Sequence, residues 1–212
     1  MKRVLAIDTS TATGRIAIAA GETVLFASEF TSQRSHNSQI FLPLESALDT
    51  CNRELDLIAV GTGPGSYTGV RIGIASGIAI AMALSIPVIG IPSACAAAAA
   101  AGGVYTLLGD ARRGATFLAE ANGHQLEAEP ELVEDEQLHT RIEDYERSLF
   151  TFDDKEFPDG IVTTHPSASK IAVHAACLDQ VELNRLQEMP PQPIYLREPF
   201  VTSPRKPGKA VS

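Results

Sequence analysis

Residues 57–84 read LIAVGTGPGSYTGVRIGIASGIAIAMAL, and few architectures can accommodate that stretch. Residues 57–60 form an apolar run of strand length, Gly61, Gly63 and Gly65 break it around Thr62 and Pro64, and a helical pattern begins near Thr68 and continues towards Pro87. Between Asp56 and Asp110 the only charged residue is Arg71. The glycine loop therefore joins a core strand to a core helix.

Within that helix Gly69, Gly73, Gly77 and Ala81 recur every fourth residue, so they stack as a ridge almost without side chains. Each glycine costs about 0.5–1 kcal/mol against alanine in a helix interior, so the ridge needs a compensating close contact. The rows Val70, Ile74, Ile78, Met82 and Ile72, Ser76, Ile80, Leu84 also avoid charge. Two arrangements satisfy this pattern: one face on the chain's own sheet with another on a partner, or a helix wholly buried in one domain.

The rest of the chain supplies a context of alternating strands and helices. Strands are expected at 4–8, 15–20 and 24–29, forming an antiparallel meander turned by Gly21-Glu22-Thr23. Ile40, Phe41, Leu44, Leu48 and Cys51 are spaced for a helix capped by Ser35 or Asn37, with Pro43 forcing a kink or a late start. A strand at 87–91 and an alanine-rich helix at 93–101, stopped by Gly102-Gly103, follow the glycine helix. Strand, helix, strand in this order implies parallel pairing through crossovers.

After Gly103 the opening pattern returns. Asp110, Gly114, the strand at 116–120 and the turn Asn122-Gly123 repeat the order of Asp8, Gly14, the strand at 16–20 and Gly21. The expected division is a lobe at 1–103 and a smaller, degenerate lobe at 104–212. In the second lobe only a strand at 161–164 and a helix at 167–178 are legible after Leu132. It ends in a basic tail, Pro204-Arg205-Lys206-Pro207-Gly208-Lys209, expected to fray.

A net charge of −9 argues against gathering nucleic acid without a basic partner. Cys51, Cys95 and Cys177 lack metal-type spacing and follow no signal peptide, so free thiols in a reducing cytoplasm are expected. Pro87 and Pro92 interrupt the long uncharged run, which favours a soluble core over a membrane span. The glycine loop lacks the lysine of a Walker loop. It also has Ser66 where a dinucleotide fingerprint starting at Gly61 needs glycine. Asp8 and Asp110 end corresponding strands, but Asp110 is followed by Ala111-Arg112-Arg113, which suits a structural ion pair. The five histidines show no pair three or four residues apart, and Ser66, Tyr67 and Thr68 have no evident base. The expectation is therefore an interaction role with no catalytic residues, no cofactor and no metal.

At Asp8-Thr9-Ser10, His36 with Phe41-Leu42-Pro43, GPGSYTGVRIG from Gly63 to Gly73, Pro87-Val88-Ile89-Gly90, Asp110-Ala111-Arg112 and Tyr195-Leu196-Arg197, the sequence resembles the TsaB (YeaZ) family. Those proteins are subunits of the bacterial machinery that makes threonylcarbamoyladenosine beside the tRNA anticodon. The resemblance is dense over the first 115 residues and sparse beyond. It implies an α/β, actin-like fold of the Hsp70 and sugar-kinase type, with two duplicated RNase H-like lobes. It also implies a catalytic paralogue, TsaD, that transfers the threonylcarbamoyl group to tRNA, an ATPase, TsaE, that joins the assembly, and TsaC, which makes the adenylate.

In TsaD a segment like GVNHLEGH carries two metal-binding histidines. Aligned to Gly90-Ile91-Pro92-Ser93-Ala94-Cys95-Ala96-Ala97, it places Ser93 and Ala97 at the histidine positions, where neither side chain serves as a ligand. The resemblance thus implies a non-catalytic subunit that pairs with TsaD, self-associates as a homodimer when TsaD is missing, and meets tRNA only through the complex. The family's pairing surface, two helices of the first lobe, falls on about 37–49 and 68–84. The expected interface residues are Phe41, Leu44, Leu48, Gly69, Arg71, Gly73, Ile74, Gly77, Ile78, Ala81 and Met82. The alternative from another class is a free-standing nucleotide hydrolase or phosphotransferase built on Asp8 and the glycine loop.

Overall fold

A computed structural model describes residues 1–31, 39–143 and 145–197. The meander is present as β1 (Arg3–Asp8), β2 (Thr13–Ala20) and β3 (Thr23–Thr31), each antiparallel to the next. The helix α1 (Phe41–Thr50) places Pro43 in its first turn, where a missing amide leaves no intrahelical bond unmade. Phe41 thus opens this helix two residues before the proline. Ser35 and Asn37, the expected caps, lie outside the described residues, as do His36 and the basic tail.

β4 (Leu57–Gly61) then runs parallel to β1, and α2 (Tyr67–Leu84) returns the chain to β5 (Val88–Ile91), parallel to β4. Ser66 caps α2 by accepting from the Gly69 amide at 3.2 Å, and Ser85 ends it in the left-handed conformation at φ 55°. The first sheet has the order β3-β2-β1-β4-β5. α2 has the length and hydropathy of a membrane span, yet its glycine edge is seated on this sheet.

The expected alanine helix does not form. Ser93–Ala96 makes one 3-10 turn, after which the chain extends and Ala97 bridges Pro166. Tertiary partners take the amides a helix would have used: Ala97 N–H donates to the Tyr105 hydroxyl at 3.1 Å, Ala98 to the His165 carbonyl at 2.9 Å, and Ala99 to Thr164 Oγ1 at 3.1 Å. Helix propensity is a few tenths of a kcal/mol per residue, which such partners overcome.

The second half repeats the first. β6 (Val104–Asp110) and β7 (Ala115–Asn122) form the antiparallel pair, with β8 (Gln125–Leu126) and β9 (Glu131–Glu134) both pairing β7. A short helix α3 (Leu138–Ile142) leads to β10 (Leu149–Thr151), parallel to β6, and β11 (Ile161–Thr163), parallel to β10. Helices α4 (Ala168–Cys177) and α5 (Gln180–Gln187) follow. Of these elements β9, β10, α3 and α5 carried no clear sequence signal, because each is short and mixes apolar with polar residues.

Among the described residues, three apolar clusters order the layers. α1 and α2 cover one face of the first sheet through Leu44, Ala47, Val70 and Ile74 against Leu5, Ile7, Ile58 and Val60. The other face, at Val4, Ala6, Ala17, Ala19 and Ala59, shares a continuous core with Leu107, Phe117 and Ala119 of the second sheet and with Ile171, Ala172 and Ala175 of α4. The outer face of the second sheet packs against α3. The cysteines are free thiols as expected, Cys51 and Cys95 buried and Cys177 exposed. Burial pushes the Cys95 thiol up to about 12.

Candidate functional site

The strand ends β1, β4 and β6 converge on a cleft of about 760 Å³ between the halves, walled by the glycine loop, Ser10, Thr11, the 110–113 turn and the segment 193–197. Asp8 ends β1 but does not open into it. Its carboxylate is fully buried, with Oδ1 accepting from the Ser10 amide at 2.9 Å and the Ser10 hydroxyl at 2.7 Å, while Oδ2 has no hydrogen-bond partner among the described residues. A Cβ on Gly61 would lie 2.0 Å from that Oδ2 and 2.7 Å from Ser93 Oγ. Gly61 and Ser93 thus close over the carboxylate from the β4 and β5 side.

Ser93 Oγ accepts from the Gly63 amide at 3.0 Å, so at the aligned metal-histidine position this residue braces the glycine loop. Asp110 holds Arg112 in the expected local ion pair, at 3.2 Å, and also accepts from the Arg112 amide at 2.8 Å. Asp153 Oδ2 accepts from the Asp110 amide at 2.6 Å. Burial raises the Asp153 carboxyl above the usual carboxylate range, with the Asp110 charge adding to that shift against the lowering effect of the Asp110 amide. These carboxylates organise turns.

The glycine ridge faces inward, which corrects its reading as a partner contact. A Cβ on Gly69 would sit 2.0 Å from the Thr9 carbonyl oxygen, one on Gly73 2.4 Å from Thr9 Oγ1, and one on Gly77 2.3 Å from Val60 Cγ1. The close approach compensated by these glycines is to β1 and β4 of the same chain. Ala81, Ile74 and Leu44 are buried in the same core, and Leu48 and Ile78 are half-buried against it. Of the expected interface residues, Phe41 is 65% exposed, Met82 is 76% exposed, and Arg71 is exposed.

Arg71 has a partner that sequence spacing could not show. Its guanidinium lies 4.0 Å from the centre of the Tyr67 ring and 5.6 Å from that of Tyr195, and its Nε donates to the Tyr195 hydroxyl at 2.9 Å. The two rings tilt against each other at 5.5 Å. Tyr195 is brought there by a strap from the chain's end: Ile194 N–H donates to the Thr62 carbonyl at 2.9 Å, and Pro191 packs 3.5 Å from the Cβ position of Gly90. The only hint in the sequence was the Tyr-Leu-Arg of the family resemblance, separated from Arg71 by more than a hundred residues.

Two halves, each an antiparallel pair extended by parallel strands and meeting across a cleft, define an actin-like, duplicated RNase H-like fold. Among solved structures, YeaZ from Pseudomonas aeruginosa shares this fold with a TM-score of 0.70 at 21% identity, covering 92% of this chain and 100% of that one. A second structure, described as an uncharacterized protein with similarity to peptidase YEAZ from Pseudomonas aeruginosa, gives a TM-score of 0.72 at 22% identity, covering 93% and 100%. The family model TsaD, tRNA N6-adenosine threonylcarbamoyltransferase, matches residues 26–139, and the chain belongs to that family.

The curated relatives that it resembles include TsaB proteins. The chain is 35% identical over 120 residues to the tRNA threonylcarbamoyladenosine biosynthesis protein TsaB of Bacillus subtilis, covering 54% of this chain and 52% of the relative. To TsaB of Escherichia coli it is 34% identical over 126 residues, covering 56% and 54%. The chain spans about half the length of the curated relatives it matches.

Proposed function

We propose that this chain is a non-catalytic subunit of the machinery that makes threonylcarbamoyladenosine in tRNA, and that it docks the catalytic TsaD through the outer sides of α1 and α2. The names of the curated relatives support the pathway. The observation that carries the docking reading is the outward side of these two helices. They lie on one face of the first sheet, yet present Phe41, Leu42 and Met82 at 65%, 73% and 76% exposure, with Ala75, Ala79 and Ala83 beside them on α2. Exposed apolar side chains on a helix that carries one charge, Arg71, suit a helix-to-helix contact.

The burial of Asp8 against Gly61 and Ser93 supports the non-catalytic part, because a general base or cation ligand must reach its substrate. TsaE joins the assembly in this reading, tRNA is met within it, and the same helix face pairs two copies when TsaD is absent. The compartment is the cytoplasm, where tRNA is modified.

The test is titration calorimetry of the chain with the TsaD of its own host. Met82→Glu and Phe41→Ser remove exposed apolar groups and leave the core intact, so each is expected to weaken association at least tenfold, as interface anchors do. Unchanged affinity in both variants would place the contact elsewhere. Magnesium-dependent ATP hydrolysis by the chain alone would restore the hydrolase reading.

A further inference from the structure

The cleft mouth, which takes in Tyr67 and Arg71 at the start of α2, differs chemically from the exposed aliphatic stretch around Phe41, Leu42 and Met82 assigned to TsaD. Its largest exposed side chains are tyrosines and arginines in place of aliphatic groups. Tyr67 and Tyr195 remain 47% and 43% exposed although they stack with Arg71, and Arg112, Arg113 and Arg197 line the same cleft. Hydroxyls of Ser10, Thr11, Ser66 and Thr68 fill the wall between them. Acidic groups are present too: Asp110, Asp153 and Asp154. The first two are engaged locally, Asp110 with Arg112 at 3.2 Å and Asp153 with the Asp110 amide at 2.6 Å. On a chain of net charge −9, four arginines around one cleft mouth are a local exception.

An aromatic face backed by a guanidinium, with further arginines within the same cleft, is the chemistry that holds a nucleotide of a single strand: the base stacks and the phosphate is met by charge. A protein partner would be expected to seek the aliphatic face of α1 and α2 instead.

We infer that the Tyr67–Arg71–Tyr195 platform and Arg112 form a contact for unpaired RNA, engaging a nucleotide of the tRNA loop region while the partner performs the transfer. This inference rests on the proposed role in tRNA modification. The strap from Pro191 to Arg197 thereby gains a purpose, since it carries Tyr195 across to α2 and completes the platform. Stacking is tolerant of base identity, so the contact supplies affinity and placement more than sequence selection. The number of arginines is small, so the strand is held weakly by this chain alone and firmly only in the assembled complex.

The experiment is a fluorescence anisotropy titration of a fluorescein-labelled RNA hairpin carrying an anticodon loop. The titrant is the chain assembled with its host's TsaD, and association of the two proteins is measured in parallel. Tyr67→Ala is expected to weaken RNA binding about tenfold, and Tyr67→Phe, which keeps the ring, to change it less than about twofold. Arg112→Ala is expected to weaken binding and lower the slope of log affinity against log salt by about one. All three variants should assemble with TsaD as the parent does.

RNA affinities equal to the parent's in both alanine variants would overturn the inference. So would a loss of TsaD affinity in those variants, which would make the cleft mouth a protein contact. Saturable binding of AMP to the chain alone, abolished in both variants, would make it a mononucleotide pocket and overturn the strand reading. A parent chain that fails to assemble with TsaD sinks the docking proposal alone, and the same titration on the free chain then decides this one.

Discussion

Single atoms decide what the glycine row does. Its spacing in the sequence revealed a smooth ridge but not its direction, because both flanking rows of α2 are apolar and the amphipathic signal is weak. The direction follows from the Thr9 carbonyl and the Val60 methyl, which approach where a Cβ would be. Adding a methyl is therefore expected to destabilise, although glycine to alanine in a free helix stabilises by about 1 kcal/mol. Gly69→Ala meets backbone, which cannot rotate away, and belongs at the upper end of the 1–3 kcal/mol range typical of overpacking. Gly73→Ala meets Thr9 Oγ1, which can turn aside only by surrendering its 2.7 Å bond to the Gly69 carbonyl, so a smaller loss is expected. Urea unfolding midpoints at constant slope give the order. An increase in the midpoint for Gly69→Ala would mean that the ridge faces outward after all.

At the scale of elements, the polyalanine segment and α4 were misread and read correctly for the same reason. Ser167 before a helical apolar pattern marked α4, and its side chain does cap the helix by accepting from the Lys170 amide at 3.2 Å. Residues 93–101 carried as strong a local signal, yet their backbone partners lie far along the chain. Besides the amides already named, Lys170 Nζ donates to the carbonyls of Ala97, at 2.7 Å, and Ala100. Non-local competition of this kind leaves no periodicity to read. The Tyr105 hydroxyl is its centre, donating to the Ala94 carbonyl at 2.7 Å while accepting from Ala97 N–H. Tyr105→Phe should cost about 1–3 kcal/mol, the penalty of stranding buried backbone groups, without altering helix content by circular dichroism.

The last turn of α4 adds a dependence on pH. His174 Nδ1 is buried without a hydrogen-bond partner among the described residues, and burial first, then the positive charges of His124 and Lys170, hold its pKa below the usual histidine value. The unfolded chain takes up that proton at a higher pH than the folded one. This contribution to stability is thus complete above about pH 6.5 and falls as pH drops below it towards the lowered folded value. His174→Leu is expected to flatten the unfolding free energy between pH 7 and pH 5. A slope equal to the parent's would assign the acid sensitivity to other groups.

For the whole molecule, the duplicated order of strands was legible because Asp8, Gly14 and Gly21 have counterparts at Asp110, Gly114 and Gly123. How the halves join was not. The sequence division at 1–103 and 104–212 treats them as neighbouring lobes, whereas the apolar face of the first sheet is covered by residues from the second half, Ile171, Ala172 and Ala175 of α4 among them. Small side chains make this possible: Ala6, Ala17, Ala19 and Ala59 on the sheet meet alanines on the helix, so α4 packs close. Severing the chain at Gly103 would expose Val4, Leu57, Ile89 and Ile91 to water, and each large side chain laid bare forfeits about 1.5–3 kcal/mol. With domains stable by only about 5–15 kcal/mol, a fragment of residues 1–103 is expected not to fold. The intact chain should then unfold as one unit, with amides of β1 and β6 exchanging hydrogen at the same free energy of opening in native-state experiments. A β6 that opens several kcal/mol more easily than β1 would separate the halves energetically. It would also free the cleft to open and close, whereas a shared value fixes the glycine loop, the strap and the 110–113 turn in one rigid frame.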